Sequence, residues 1–457
     1  WQVARSPGNS ARLALLLTMA VAVGTFAASY STTAKATFDD RAKYAAGVEW
    51  RMAGGLTSSM GLNGKGNDAR LSALPGVDYA TAVIRIPGSP AIAGVSARSF
   101  QVLGVDPDRA SEMLWFRDDF ADLSLREMMA NLGAPQPLRG KALPAGTTSL
   151  KIKVSSSDQR AVQTLWARVV DKDQSFQMLE LGTMPGPGWH EMSVNLQKNP
   201  DGVYGEPFFL MSLMVTEPSN RFNAQNLVIL IDDITAVGAG GQETLLEGFE
   251  GTAPGWTPLP SKLAKQDVFE ITRDGAATGN SAGKLTRLAG QSTDLWGLYY
   301  TQSTVPMPVI ASESFSASTG IPPGGAGNVV VGDILTPITI TATFRLMPTL
   351  DTSQGPAVIF NRDHLLSWIG IVDVIQAPGI NEAWFSLEPG ADVEALERAL
   401  SEAPFSLEEM YDQQSQLESL ERNPLIAAGG AGILYIAFGA VLLLVAAALL
   451  VSLWVSV

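Results

Sequence analysis

The chain has 457 residues, no cysteine and a formal net charge of −14, with 45 Asp and Glu against 31 Lys and Arg. This excludes disulfide and thiolate chemistry, leaves only His190 and His364 for a histidine-dependent triad, and argues against nucleic acid as a partner. The length suffices for two or three domains, and 44 Gly with 27 Pro favour turns and β-structure.

Arg5 and Arg12 precede an apolar run with no charge over residues 13–34, enough for a transmembrane helix. A signal peptide competes, because Ala27, Ala28 and Ser29 follow an apolar core. The start at Trp1-Gln2, without an initiator Met, reads as the interior of a longer product and favours a retained span. Ala20, Gly24 and Ala28 recur at i, i+4 and i+8, a small-residue stripe suited to close helix packing, though small residues are common in membrane helices generally. By the positive-inside rule residues 1–12 form a cytoplasmic lead-in. Residues 38–46 predict a short helix stopped by Gly47, with strands near 48–52, 79–86 and 99–105. Ser124-Leu125-Arg126-Glu127 is a capping box that opens a helix ending at Gly133.

Over 138–238 the pattern turns to β, with strands predicted at 149–155, 164–170, 176–181, 189–196, 208–216 and 227–237. That spacing suits a sandwich or jelly roll. A second β-rich segment, 243–303, is either an incomplete sandwich or extra strands on the first. Residues 312–327 read as a loop. Asp392 caps a helix running to Leu400, and Ser406-Leu407-Glu408-Glu409 is a second capping box. It opens a connecting helix, 408–423, that carries Met410, Leu417 and Leu420 toward the last run. Residues 425–457 carry no charge and form the second predicted transmembrane helix, with Ala428 and Gly432 as its packing positions.

The expected fold class is therefore an α+β membrane protein. Two transmembrane helices flank a mixed α/β extracytoplasmic domain (35–135 and 305–407) with an inserted, jelly-roll-like β-sandwich. The expected localisation is the cytoplasmic membrane, multi-pass, with the lipid bilayer as a partner.

Chemical candidates are few. Asp232 and Asp233 supply hard oxygen ligands for calcium, but adjacent strand residues point to opposite faces unless a bulge intervenes. Trp166, Trp189, Trp256 and Trp296 are candidates for a sugar-stacking platform, Trp166 and Trp189 foremost; aromatic residues on sandwich strands more often fill the core. Asp171, Asp173, Glu180 and Glu191 are the carboxylates available to a glycosidase pair, with nothing to set their separation. His190 and His364 read most simply as hydrogen-bonded or surface residues. No GxxxxGK[ST] loop occurs, so this chain has no Walker-type site for ATP.

Five short pieces occur in a telling order: Ala4-Arg5-Ser6-Pro7-Gly8 before the first run, Leu74-Pro75-Gly76-Val77, Val331-Gly332-Asp333, Asn381-Glu382-Ala383-Trp384, and Asn423-Pro424-Leu425 entering the second run. In this order the chain resembles the MacB/FtsX-like ABC transporter permease family over residues 1–135 and 305–457, with the middle an insertion of carbohydrate-binding-module texture. The resemblance implies a non-catalytic permease with no cofactor of its own, which couples ATP hydrolysis to movement of its outer domain for export or mechanotransmission. It further implies a cytoplasmic ABC ATPase holding ATP and magnesium, a second permease copy or half, and cargo such as a lipoprotein. The Trp1 start is compatible with the second half of a two-half permease. The alternative is a membrane-anchored surface protein that binds glycan or cell wall through the sandwich.

Overall fold

The computed structural model describes residues 7–54, 64–91, 99–133, 140–172, 175–197, 205–217, 225–251, 255–260, 267–290, 295–301, 305–332, 334–353, 355–371, 380–402, 405, 409–422, 435–436, 438–447 and 449–450. The chain divides into two compact units, Trp1–Arg51 with Tyr411–Val457, and Met52–Met410.

The first element is a single helix, α1 (Pro7–Ala46), of 40 residues. It ends where Gly47 takes the left-handed conformation, φ +75°, and donates its N–H to the Lys43 carbonyl at 2.7 Å. The expected short helix over 38–46 is thus the last part of α1. The division between the units falls within the next strand, β1 (Trp50–Ala53).

The 52–410 unit opens with α2 (Gly64–Ser72), β2 (Val77–Pro90), β3 (Phe100–Val105), α3 (Pro107–Met113) and α4 (Leu125–Asn131). Asp106 caps α3 by accepting N–H bonds from Asp108 and Arg109, with Pro107 at the first helical position. The capping box before α4 forms as expected: the Ser124 hydroxyl accepts the Glu127 N–H, and the Glu127 carboxylate accepts the Ser124 N–H.

The β-rich stretches form one sandwich. Its strands are β4 (Lys141–Ala142), β5 (Thr147–Ser156), β6 (Thr164–Val170), β7 (Phe176–Thr183), β8 (His190–Asn195), β9 (Phe209–Thr216), β10 (Leu227–Gly238), β11 (Glu243–Glu247), β12 (Trp256–Pro258), β13 (Val268–Thr272), β14 (Ala282–Arg287) and β15 (Leu295–Tyr300). One sheet runs β13-β14-β10-β5-β8 with β11 on β10; the other runs β12-β15-β9-β6-β7 with β4 on β9. The 243–303 stretch therefore adds strands to both sheets. Alternation selects the core: Leu150, Ile152 and Val154 from β5 meet Leu165, Ala167 and Val169 from β6, while Lys151 and Lys153 face outward.

After the sandwich come β16 (Met307–Ser312), α5 (Glu313–Thr319), β17 (Ala326–Val331), β18 (Ile334–Phe344), β19 (Ala357–Asn361), α6 (Arg362–Ile369), β20 (Glu382–Leu387) and α7 (Val393–Ser401). Part of the expected 312–327 loop is helical, because the Ser312 hydroxyl accepts the Phe315 N–H and Gly320 closes the helix. In this unit the sheet runs β17-β18-β16-β19-β3-β2-β20. Strand β17 also pairs with β2, so six of these strands pair in a closed circuit.

The chain leaves through β21 (Glu409–Asp412), within which the units divide again, and α8 (Gln413–Arg422). Asp412 caps α8 by accepting the Ser415 N–H at 2.7 Å. Within the first unit α8 packs against α1, and the Arg51 guanidinium lies 4.3 Å from the centroid of the Tyr411 ring.

Three expectations are corrected here. Among the described residues no helix is long and apolar enough to cross a membrane, which overturns the membrane fold class with its two transmembrane helices. The multi-pass placement in the membrane falls with it. Among the described residues strand outweighs helix, 42% against 29%. The physical reason lies in α1, where residues 13–34 are part of a longer helix. Lys35, Asp39, Asp40, Arg41 and Lys43 follow the apolar run on the same helix, and much of residues 425–457 lies outside the described residues. Of the packing stripe, Ala20 is buried, Gly24 has open space around it and Ala28 is exposed; Ala428 and Gly432 lie outside the described residues. The connecting helix begins at Gln413 rather than 408, so Met410 sits in β21, while Leu417 and Leu420 are on α8.

Candidate functional site

One end of the sandwich gathers the most chemistry. Here β5, β9 and β14 end while β6, β13 and β15 begin. Period-2 alternation turns Arg287 inward after Leu285 on one sheet, and Trp296 inward from the other. The Arg287 guanidinium lies 5.4 Å from the Trp296 ring centroid, and both residues are almost wholly buried. Glu217, just past β9, accepts the Trp296 indole N–H at 3.1 Å and a Gln163 amide N–H at 2.9 Å through one oxygen. Gln163 in turn accepts the Ser156 hydroxyl at 2.6 Å, and Asp158 binds Arg160 through both carboxylate oxygens.

Asp267 completes the group at the start of β13. Burial pushes its carboxyl up to about 6, against the pull of Arg287 and with a push from Glu217. Its Oδ1 has no hydrogen-bond partner. The group sets a carboxylate oxygen without a partner, Asp267 Oδ1, near the buried Arg287 guanidinium.

Asp232 and Asp233 sit at a bulge in β10, where Asp233 has φ +45°. The bulge aims both carboxylates at the same loop. Asp232 accepts the N–H groups of Ala277 and Thr278 at 2.9 and 3.2 Å; Asp233 accepts the Thr278 hydroxyl and the Lys153 ammonium, each at 2.8 Å. Burial alone would raise the Asp233 carboxyl, but the bonds from Lys153 and Thr278 carry it below its ordinary value. For Asp232 burial prevails, and its carboxyl is raised. Lys153 thus supplies the positive charge that a calcium ion would bring. No group of three metal-ligating side chains occurs among the described residues.

The remaining candidates disperse. Trp166 lies on β6, its indole donating to Thr216 Oγ1 at 3.0 Å, whereas Trp189 precedes β8 in the other sheet and donates to the Gly275 carbonyl at 2.9 Å. They share no face. Trp256 is buried, edge-on to Tyr300 at 5.4 Å. Asp171 is buried and accepts the N–H groups of Ser175 and Gly205, Asp173 lies outside the described residues, and Glu180 and Glu191 are exposed on different sheets. His190 is half-buried at the start of β8; burial lowers the His364 imidazole, on α6, to about 4.

Two of the short motifs prove to be fasteners. Asn381 bonds β2 through both its oxygen and its nitrogen at Arg85, and Glu382 takes the Arg85 guanidinium in a two-point pair at 2.6 and 3.0 Å. In Leu74-Pro75-Gly76-Val77, Gly76 has φ +72° and packs so closely on Ala391 that a Cβ would collide. The largest buried ionic group was not foreseen: Arg362 on α6 binds Asp68 through two bonds of 2.8 and 2.9 Å and Asp363 at 2.8 Å. Burial works against its charge, but Asp363 and Asp68 hold the guanidinium above its ordinary value.

Glu217, Asp267 and Gln163 escaped sequence reasoning because they lie in loops. Arg287 carried a signal, an arginine at an inward position of a strand. Comparison with protein-family models, curated proteins and solved structures returns no match for this chain.

Proposed function

We propose that this chain is the non-catalytic, motion-relaying subunit of an ABC-transporter assembly of the MacB/FtsX type. A separate ATPase would hold ATP and magnesium, and a second copy or half would complete the pair. The observation that carries this reading is the insertion of residues 52–410 between α1 and α8, two helices that pack on each other. Arg51 and Tyr411 meet at the residues that flank the insertion, so a slide of one helix along the other pulls on both its ends. The reading rests on that insertion and on the order of the short motifs, not on the two apolar runs. It is tested by affinity purification from the native cell with mass spectrometry. A nucleotide-binding subunit in stoichiometric amount is expected; recovery of the chain alone would sink the reading.

A second reading, glycan or cell-wall binding by the sandwich, is favoured by Asp267 Oδ1, a carboxylate oxygen without a partner at the polar end of the sandwich. A glycan array probed with the whole chain is its test. A hit should be lost in Glu217→Gln and Asp267→Asn, and an empty array counts against it.

A further inference from the structure

The sheet β12-β15-β9-β6-β7 has a second face, turned away from the sandwich core. On β6 the core takes Leu165, Ala167 and Val169, which turns Trp166, Arg168 and Val170 to that face. In register, Arg168 stands opposite Ser212 of β9, and Ser212 stands opposite Tyr299 of β15. The three form one row across adjacent strands, with neighbouring side chains about 5 Å apart at Cβ. The row is buried: Arg168 is 2% exposed, Ser212 0% and Tyr299 3%. Part of its cover is Trp368 of α6, edge-on to the Tyr299 ring at 6.0 Å.

This row leaves polar atoms without partners. Arg168 Nε and Nη1, Ser212 Oγ and Trp368 Nε1 are buried and make no hydrogen bond. All of them can donate. Arg168 packs over the Phe176 ring at 4.9 Å, and no carboxylate among the described residues pulls on its charge. Burial alone acts on the guanidinium, bringing it down to about 9. A buried cation without a counter-charge is among the most costly arrangements a fold can hold, and the buried Arg362 shows the ordinary solution, pairing with Asp68 and Asp363. A cluster of groups that can all donate, one of them charged, is complementary to an acceptor and most strongly to an anion.

We propose that the outer face of β6-β9-β15 is the binding site of a small oxyanion, a carboxylate or a phosphate group, seated on Arg168 and Ser212 with the Trp368 indole at its edge. The Phe176 and Tyr299 rings wall it, so that the anion's bonds form away from water and count for more than at the surface. The site is separate from the polar end of the sandwich and independent of the relay reading.

The test uses the whole chain, titrated with inorganic phosphate and separately with acetate, at ionic strength held constant with chloride. Thermal unfolding and isothermal calorimetry are the readouts. At least one anion should bind with a saturable, single-site isotherm and raise the unfolding midpoint. A response to phosphate alone assigns a phosphoryl ligand; a response to acetate alone assigns a carboxylate. Arg168→Met should abolish binding and, without anion, unfold no earlier than the parent, because it removes an uncompensated charge. Ser212→Ala, which keeps the fold, should weaken binding about tenfold. Absence of binding by the parent to both anions overturns the proposal. So does equal binding by Arg168→Met, or, should that variant fail to fold, equal binding by Ser212→Ala.

Discussion

Arg51 and Tyr411 flank the 52–410 unit in sequence and stack in space, guanidinium over phenol ring at 4.3 Å. The contact links the strand that follows α1 to the strand that leads into α8. The relay proposed above would pass through it.

Tyr411→Ala should therefore loosen α8. Loss of a partly exposed cation–π contact costs about 0.5–1 kcal/mol, so amide exchange in α8 should quicken roughly two- to fivefold. Exchange rates indistinguishable from the parent would show that the contact holds nothing.

Leu417→Pro breaks the same element from within. Proline in a helix interior costs about 3 kcal/mol and removes a backbone bond. Transport by the intact assembly should be lost while the partner ATPase still binds ATP; retained transport would remove α8 from the mechanism.

Arg362→Met should be among the most damaging single changes in the 52–410 unit. It strands Asp68 and Asp363 in a buried setting, and breaking a buried ion pair costs about 3–5 kcal/mol. Denaturant unfolding measures the loss. The double variant Arg362→Met with Asp68→Asn should recover much of it, and a double variant as unstable as the single would assign the loss to packing instead.

Two buried groups should give opposed pH dependences. Asp267 titrates at about 6 in the fold and 3.8 unfolded, so the folded state holds its proton more tightly. Its contribution is fully present below pH 3.8 and is lost as pH rises through 6. His364 titrates at about 4 in the fold and 6.5 unfolded, so its contribution is present above 6.5 and is lost as pH falls through 4. Between pH 4 and 6 the two oppose each other. In unfolding midpoints across that range, Asp267→Asn should steepen the rise of stability with pH, and His364→Gln should expose a fall. Identical profiles for parent and both variants would refute the assignment.

Calcium should leave the parent's unfolding midpoint unchanged at millimolar concentration, because Lys153 already neutralises Asp233 and backbone donors hold Asp232. Lys153→Met uncovers the pair, and calcium should then stabilise the protein. Stabilisation of the parent would place an ion where the ammonium stands.

Much of the architecture was legible from local pattern. Alternation located the sandwich strands, and Ser124 and Asp392 marked helix starts, because caps and period-2 burial depend on residues close in sequence. The site was hardly legible. Glu217, Gln163 and Trp296 meet only because β9 ends where β6 and β15, distant in the chain, begin, and residues 38–46, expected as a separate helix, continue α1.

By itself the sequence determined where the sandwich strands run, where several helices begin, and that no thiol chemistry occurs. Tertiary structure alone decided the rest. It merged two β-rich stretches into one sandwich, turned Asp232 and Asp233 to one loop through a bulge, and set Arg168 beside Ser212. Strand registry and the burial of charge depend on residues distant in the chain, and no local window of sequence contains both partners.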